Sequence, residues 1–134
     1  MSDNFDEIIA LIKAVIESDG IDEDNEHSNW SEFSIIFEID EDGDLFSTYG
    51  YVYAADRNWH AASVTEPAVE AALETYLSSM LKPGDKGPVK MLLQFNRDTA
   101  RFKTDFEYEN AGRWQVTPAN IDRIVGELRP DLGN

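Results

Sequence analysis

Cysteine is missing from all 134 residues, which excludes disulfides and thiolate metal cages. Histidine is nearly missing. His27 stands in an acidic stretch and His60 beside Trp59, and the two do not form the helical pair that binds zinc. No apolar run reaches the length of a membrane span, and the chain opens MSDNFDE without the basic start and apolar block of a secretory signal, so a cytoplasmic setting is expected. Asn29-Trp30-Ser31 matches a glycosylation acceptor, which in that setting is a chance match. The sequence also lacks a phosphate-binding glycine loop, a nucleophile elbow and a dinucleotide fingerprint.

Positive charge is scarce in one part of the chain. Residues 1–80 hold only Lys13 and Arg57 against nineteen acids, a net −17, whereas residues 81–134 hold nine basic and eight acidic residues, a net +1. The total of −16 therefore arises in the first 80 residues. Such a field speeds encounter with basic partners and repels nucleic acid and anionic membrane, so neither is expected as a direct partner. The commoner role of an acidic surface is solubility.

What is present is a core. A hydrophobic content of 42% over this length suits one domain, residues 1–134. In NFDEIIALIKAVIESDG, Phe5, Ile8, Ile9, Ile12, Val15 and Ile16 fall on one face of an amphipathic helix, with Asp3 or Asn4 to cap it and Gly20 to end it. The acidic stretch IDEDNEHSNWSE follows. FSIIFEI, Phe33 to Ile39, and LFSTYGYVY, Leu45 to Tyr53, read as strands joined by the hairpin loop DEDGD, Asp40 to Asp44. In the first strand Phe33, Ile35, Phe37 and Ile39 share one face. The second strand fits two registers. One turns Leu45, Tyr49, Tyr51 and Tyr53 inward; the other buries Phe46, Thr48, Gly50 and Val52 and leaves a tyrosine row outside. Aromatic stripes usually pack, which favours the first.

NWHAASV, Asn58 to Val64, is a third short strand leading to a helix with Thr65 as N-cap, Pro67 in its first turn, and a stripe of Val69, Ala72, Leu73, Tyr76, Leu77 and Met80. The cluster KPGDKGP ends it. Val89, Met91, Leu93 and Phe95 then alternate inward, NRDTA turns the chain, and Ala100, Phe102, Thr104, Phe106 and Tyr108 alternate inward on the return. Lys90, Gln94, Arg101, Lys103, Asp105 and Glu107 are expected to face water, with Lys90 opposite Asp105 or Glu107. A last helix is predicted with Thr117 as cap, Pro118 at its first position and Ile121, Ile124, Val125 and Leu128 as its apolar face, with Trp114 anchoring it to the sheet. The predicted architecture is α+β: a two-layer domain in which an antiparallel sheet of four to five strands packs with three helices, in the order α-β-β-(β)-α-β-β-α.

Catalysis requires convergent polar groups, and neither histidine comes with partners in the sequence, so no catalytic residue and no cofactor are expected. Calcium ligation fits poorly. Asp40, Asp42 and Asp44, and likewise Asp22, Asp24 and Glu26, recur at alternate positions; Gly43 comes too early for the EF-hand turn, and His27 stands where the second run would need its glycine. A weak cation site is the most this spacing offers.

The run from Val89 to Pro130, with LLQFNRDTARFKTDFEYE followed by RWQVTPANIDRIVGELRP, resembles the C-terminal half of the YezG-like immunity proteins. The paired strands ending in the aromatic-acidic pair Tyr108-Glu109 and the proline-started last helix carry the resemblance. It implies a protein of polymorphic toxin systems that protects its producer by binding a toxin domain, commonly a nuclease. A nuclease surface that grips phosphate is basic, so an acidic protein can compete for it. The residues expected to face such a partner are Asp22, Glu23, Asp24, Glu26, Asp40, Glu41, Asp42 and Asp44, with Trp30, Tyr51, Tyr53 and Trp59 as aromatic anchors. A monomer or homodimer fits this role. The same order of elements is similar to that of type III secretion chaperones and YbjN-like proteins, which hold an extended partner segment; an uncharacterised hydrolase ranks third.

Overall fold

The computed structural model of the chain describes residues 5–18, 30–54, 58–64, 66–82 and 84–130. The first helix, α1, runs Phe5–Ile16 and buries Ile8, Leu11, Ile12 and Val15. This stripe is rotated slightly from the expected one: Leu11 is fully buried, while Phe5, the first residue of the helix, is 53% exposed with its ring 6.5 Å from that of Phe102. The expected caps at Asp3 and Asn4 and the exit at Gly20 lie outside the described residues.

Five strands follow in one antiparallel sheet: β1 (Trp30–Ile39), β2 (Leu45–Ala54), β3 (Trp59–Ala62), β4 (Lys90–Asn96) and β5 (Phe102–Glu107), in the spatial order β3-β2-β1-β4-β5. The second helix, α2, spans Pro67–Met80 between β3 and β4, and the third, α3, spans Ile121–Leu128. Class, element order and the third short strand agree with the sequence. The pairing Lys90↔Glu107 does as well.

Layering departs from the two-layer expectation. Helices α1 and α2 pack over the face carrying Phe33, Ile35, Phe37, Met91 and Leu93, while α3 packs on the opposite face over Ile36, Tyr51, Tyr53 and Leu92. The sheet is thus covered on both sides. Nearly every residue of β1, polar ones included, is consequently buried.

Cover on both faces also resolves the register of β2. Phe33 pairs with Val52, Ile35 with Gly50 and Phe37 with Thr48, so Val52, Gly50 and Thr48 share the main core face. The tyrosines point to the other face. They are core all the same, because α3 closes over them: Tyr53 donates its hydroxyl to Val125 O at 2.7 Å. A register shift between Glu38 and Ile39 makes Phe46 an extra residue on β2, so Leu45 turns inward and Phe46 is left 59% exposed.

At the start of α2, Pro67 occupies the first turn as expected, while the predicted cap Thr65 lies outside the described residues. Helix α3 begins three residues later than predicted. Asn120, not Thr117, precedes it: the Asn120 carboxamide oxygen accepts the Thr117 amide at 2.8 Å, and Asn120 N returns a bond to Thr117 O at 3.1 Å. Residues 117–120 are therefore a closed turn, and the helix starts after it.

Candidate functional site

The β1–β2 connection builds itself from its own acids. Asp40 Oδ1 accepts the amides of Asp42 at 2.9 Å and Asp44 at 3.0 Å, Asp40 N donates to Asp44 O at 2.9 Å, and Gly43 takes the left-handed conformation at φ 85°. One carboxylate is thus used to fold the loop. The others project outward from a fixed turn. Asp40, Glu41, Asp42 and Asp44 are all exposed, and among the described residues no ion pair includes them. Carboxylate oxygens of Asp40, Asp42 and Asp44 come within 4.8 Å of one another. With one oxygen of Asp40 already holding two amides, this is a concentration of negative charge more than a preformed coordination shell. Asp22, Glu23, Asp24 and Glu26 lie outside the described residues.

The aromatic anchors fare differently. Trp30, Tyr51 and Tyr53 are buried at 5%, 3% and 1% exposure and present no surface to a partner. Trp30 packs against Phe33 and Phe95 with the Arg97 guanidinium 4.7 Å from its ring, and Tyr53 lies under Arg129. These three are corrected from contact residues to core, because each sits on a strand whose two faces are both covered. Trp59 remains 43% exposed on the edge strand β3, its ring edge-on to Tyr51 at 5.2 Å. It does not join the acidic turn. Trp59 pairs with Tyr53 and the turn adjoins Leu45, so roughly 25 Å of strand separates them.

The face under α3 holds polar residues that the sequence places in water. Lys90 is 3% exposed; its ammonium donates to Tyr49 Oη at 3.1 Å and Arg113 O at 2.9 Å and lies 3.5 Å from Glu38 Oε2. Tyr49 in turn donates to Trp114 O at 2.9 Å. Burial, then the charge of Glu38 and the neighbouring Tyr51, pushes the Tyr49 phenol well above its ordinary value, so it stays neutral across the physiological range. The cluster borders a cavity of about 730 Å³ walled by Ala62, Val116 and Ile121. Its polar atoms already bond one another. They hold segment 113–116 against the sheet, and Trp114, left-handed at φ 63°, packs beside the cluster of Ile36, Tyr51 and Leu92, in keeping with its predicted anchoring role.

A third feature was not legible beforehand. Between the acidic turn and the end of α2 runs a groove of about 1070 Å³, with Phe46, Leu77, Leu81 and Val89 among its apolar lining and Glu74 and Asp85 on the wall opposite the turn. That wall is itself ordered: Asp85 Oδ2 accepts the Lys82 amide at 2.9 Å, and Asp85 N donates to Lys82 O at 2.9 Å. Phe46 could have been singled out only by knowing where the bulge falls, and alternation alone does not locate it. No family model, no curated protein and no solved structure matches this chain.

Proposed function

We propose that this protein is an immunity-type binding protein, without catalytic function, that neutralises a basic toxin domain by occluding it with an acidic surface. The observation that carries the reading is the β1–β2 turn: four exposed carboxylates outside any ion pair of the described residues, of which Asp40 stiffens the loop and Glu41, Asp42 and Asp44 are left to meet a partner. A surface that grips phosphate offers arginines and lysines, and such a turn competes for them with its charge already oriented. Exposed carboxylates also stand on the helical layer, at Asp6 and Glu17 near α1 and at Glu70 and Glu74 on α2, against Lys13 alone on those helices. The long-range field speeds encounter, and shorter contacts set the residence time.

The resemblance of residues 89–130 to the YezG-like proteins supports the same reading. The scatter of large exposed apolar side chains favours it over a chaperone-like module. Among the described residues, Phe5, Phe46, Trp59 and Tyr108 stand on four different elements or connections, so the large exposed rings form no single patch.

Co-expression with the toxin domain encoded beside its own gene tests the proposal. Rescue of growth is expected, with an association rate that falls about tenfold or more from low to high salt. Asp42→Lys with Asp44→Lys, and separately Asp22→Lys with Glu26→Lys, should weaken binding. Absence of rescue, or an association rate indifferent to salt and to both reversals, rejects it.

A further inference from the structure

The groove beside the acidic turn narrows the chemistry of the partner. Carboxylates outnumber ammonium groups seven to three among its lining residues, and one of those ammoniums, Lys90, is already engaged with Glu38. Phe46, Leu77, Leu81 and Val89 line the same groove. The bulge that turns Leu45 inward leaves the Phe46 ring 59% exposed beside the stretch Asp40 to Asp44, in which four of five residues are acidic.

We infer that this groove receives a cationic, amphipathic segment of a protein partner, its lysines or arginines against Asp42, Asp44 and Glu74 and one apolar side chain on Phe46 and Leu81. Charge complementarity selects the cationic class. The apolar border selects a polypeptide over a metal ion or a small polycation: any of them gains from the face of the Phe46 ring, but only an amphipathic chain also buries apolar side chains against Phe46 and Leu81. The inference deepens the immunity reading and rests on it for the partner's identity, but the groove can be tested without that partner.

The probe is a fluorescein-labelled synthetic peptide of alternating lysine and leucine, titrated into the full-length protein and followed by anisotropy beside a lysine-only peptide and a glutamate-leucine peptide. The lysine-leucine peptide should bind most tightly, and Phe46→Ala should weaken it about tenfold while weakening the lysine-only peptide much less. Asp42→Lys with Glu74→Lys should weaken both cationic peptides and flatten their salt dependence. All three positions are exposed, so an unchanged melting temperature certifies that the variants are folded. If the lysine-leucine and lysine-only peptides bind equally, or if Phe46→Ala has no effect on either, the groove assignment is wrong. Loss of the peptide effect with intact growth rescue would overturn the groove and leave the immunity reading standing. Failure of rescue with the peptide effect intact would overturn the immunity reading instead.

Discussion

Lys90 shows how one side chain changes meaning with its surroundings. On an isolated hairpin it would be a solvated surface lysine paired with Glu107; in the folded chain it links Glu38, Tyr49 and Arg113 O beneath the 111–116 segment. Lys90→Met keeps the stem's volume but leaves Arg113 O without its donor and Glu38 without its cation. A loss of about 2–3 kcal/mol is expected, read as a lower urea midpoint at unchanged slope. Gly50 is a second residue whose identity follows from its neighbours. A Cβ there would drive into Ser34 O and the backbone of Ile35, so Gly50→Ala should cost about 3 kcal/mol or more although Gly50 is not left-handed. Thermal unfolding of that variant checks the claim, and a shift of only a degree or two would contradict it.

At the scale of elements, the short helix α3 carries more than its eight residues suggest. Leu128 O accepts the side chains of Ser34 and Gln94, Val125 O accepts Tyr53, and the Arg129 guanidinium bonds Glu32 Oε1 at 2.9 Å and Ala54 O at 3.2 Å. The end of the helix is therefore tied to β1, β2 and β4 together. A chain ending after Thr117 would uncover Ile36, Tyr51, Tyr53 and Leu92 and leave Glu32, which is 6% exposed, with the Asn96 carboxamide but without the Arg129 cation. Such a truncation is expected to self-associate, seen as an earlier elution volume and rising light scattering; a monomer as stable as the full chain would contradict this account of the second core. Pattern reading located the helix through Ile121, Ile124, Val125 and Leu128, yet it could not assign the face, because an apolar stripe fits either side of a sheet equally well.

For the whole molecule, stability should depend on pH at both extremes. Tyr49 and Tyr53 have phenols raised above their ordinary value, chiefly by burial. Their neutral form is favoured in the folded state, so stability is undiminished below the unfolded value of about 10 and falls as pH rises beyond it, when the unfolded chain ionises first. Urea midpoints should therefore decline above about pH 10, and with the exposed Tyr108 removed by Tyr108→Phe, tyrosinate absorbance should stay suppressed until unfolding. Early tyrosinate absorbance in the folded state would refute the second core. Glu107 behaves oppositely. The amides of Asn110 and Glu109, and then Arg113, hold its carboxyl below the usual range, so its contribution is present at neutral pH and lost as pH falls through the folded value. Dense acidic charge also predicts that moderate salt raises the melting temperature by relieving self-repulsion, whereas it weakens association with a basic partner.

Much of this protein is decided by local chemistry. Periodicity in the chain determines three helices, four to five strands, their order and the two hairpins, because each depends on neighbours a few positions apart, and composition alone shows the concentration of acid before residue 80. Asp40, Glu41, Asp42 and Asp44 are exposed, as a loop of that composition requires. Tertiary structure alone decides which side of the sheet α3 covers, and from that choice follow the burial of Tyr51 and Tyr53 and of Lys90 beside them, while Trp30 is buried in the cluster under α1 and α2. It likewise places the bulge that releases Phe46 and closes a groove between two segments some forty residues apart. These depend on pairings between distant strands and on which of two equivalent faces remains open once the first two helices have packed, and no short-range pattern carries that information.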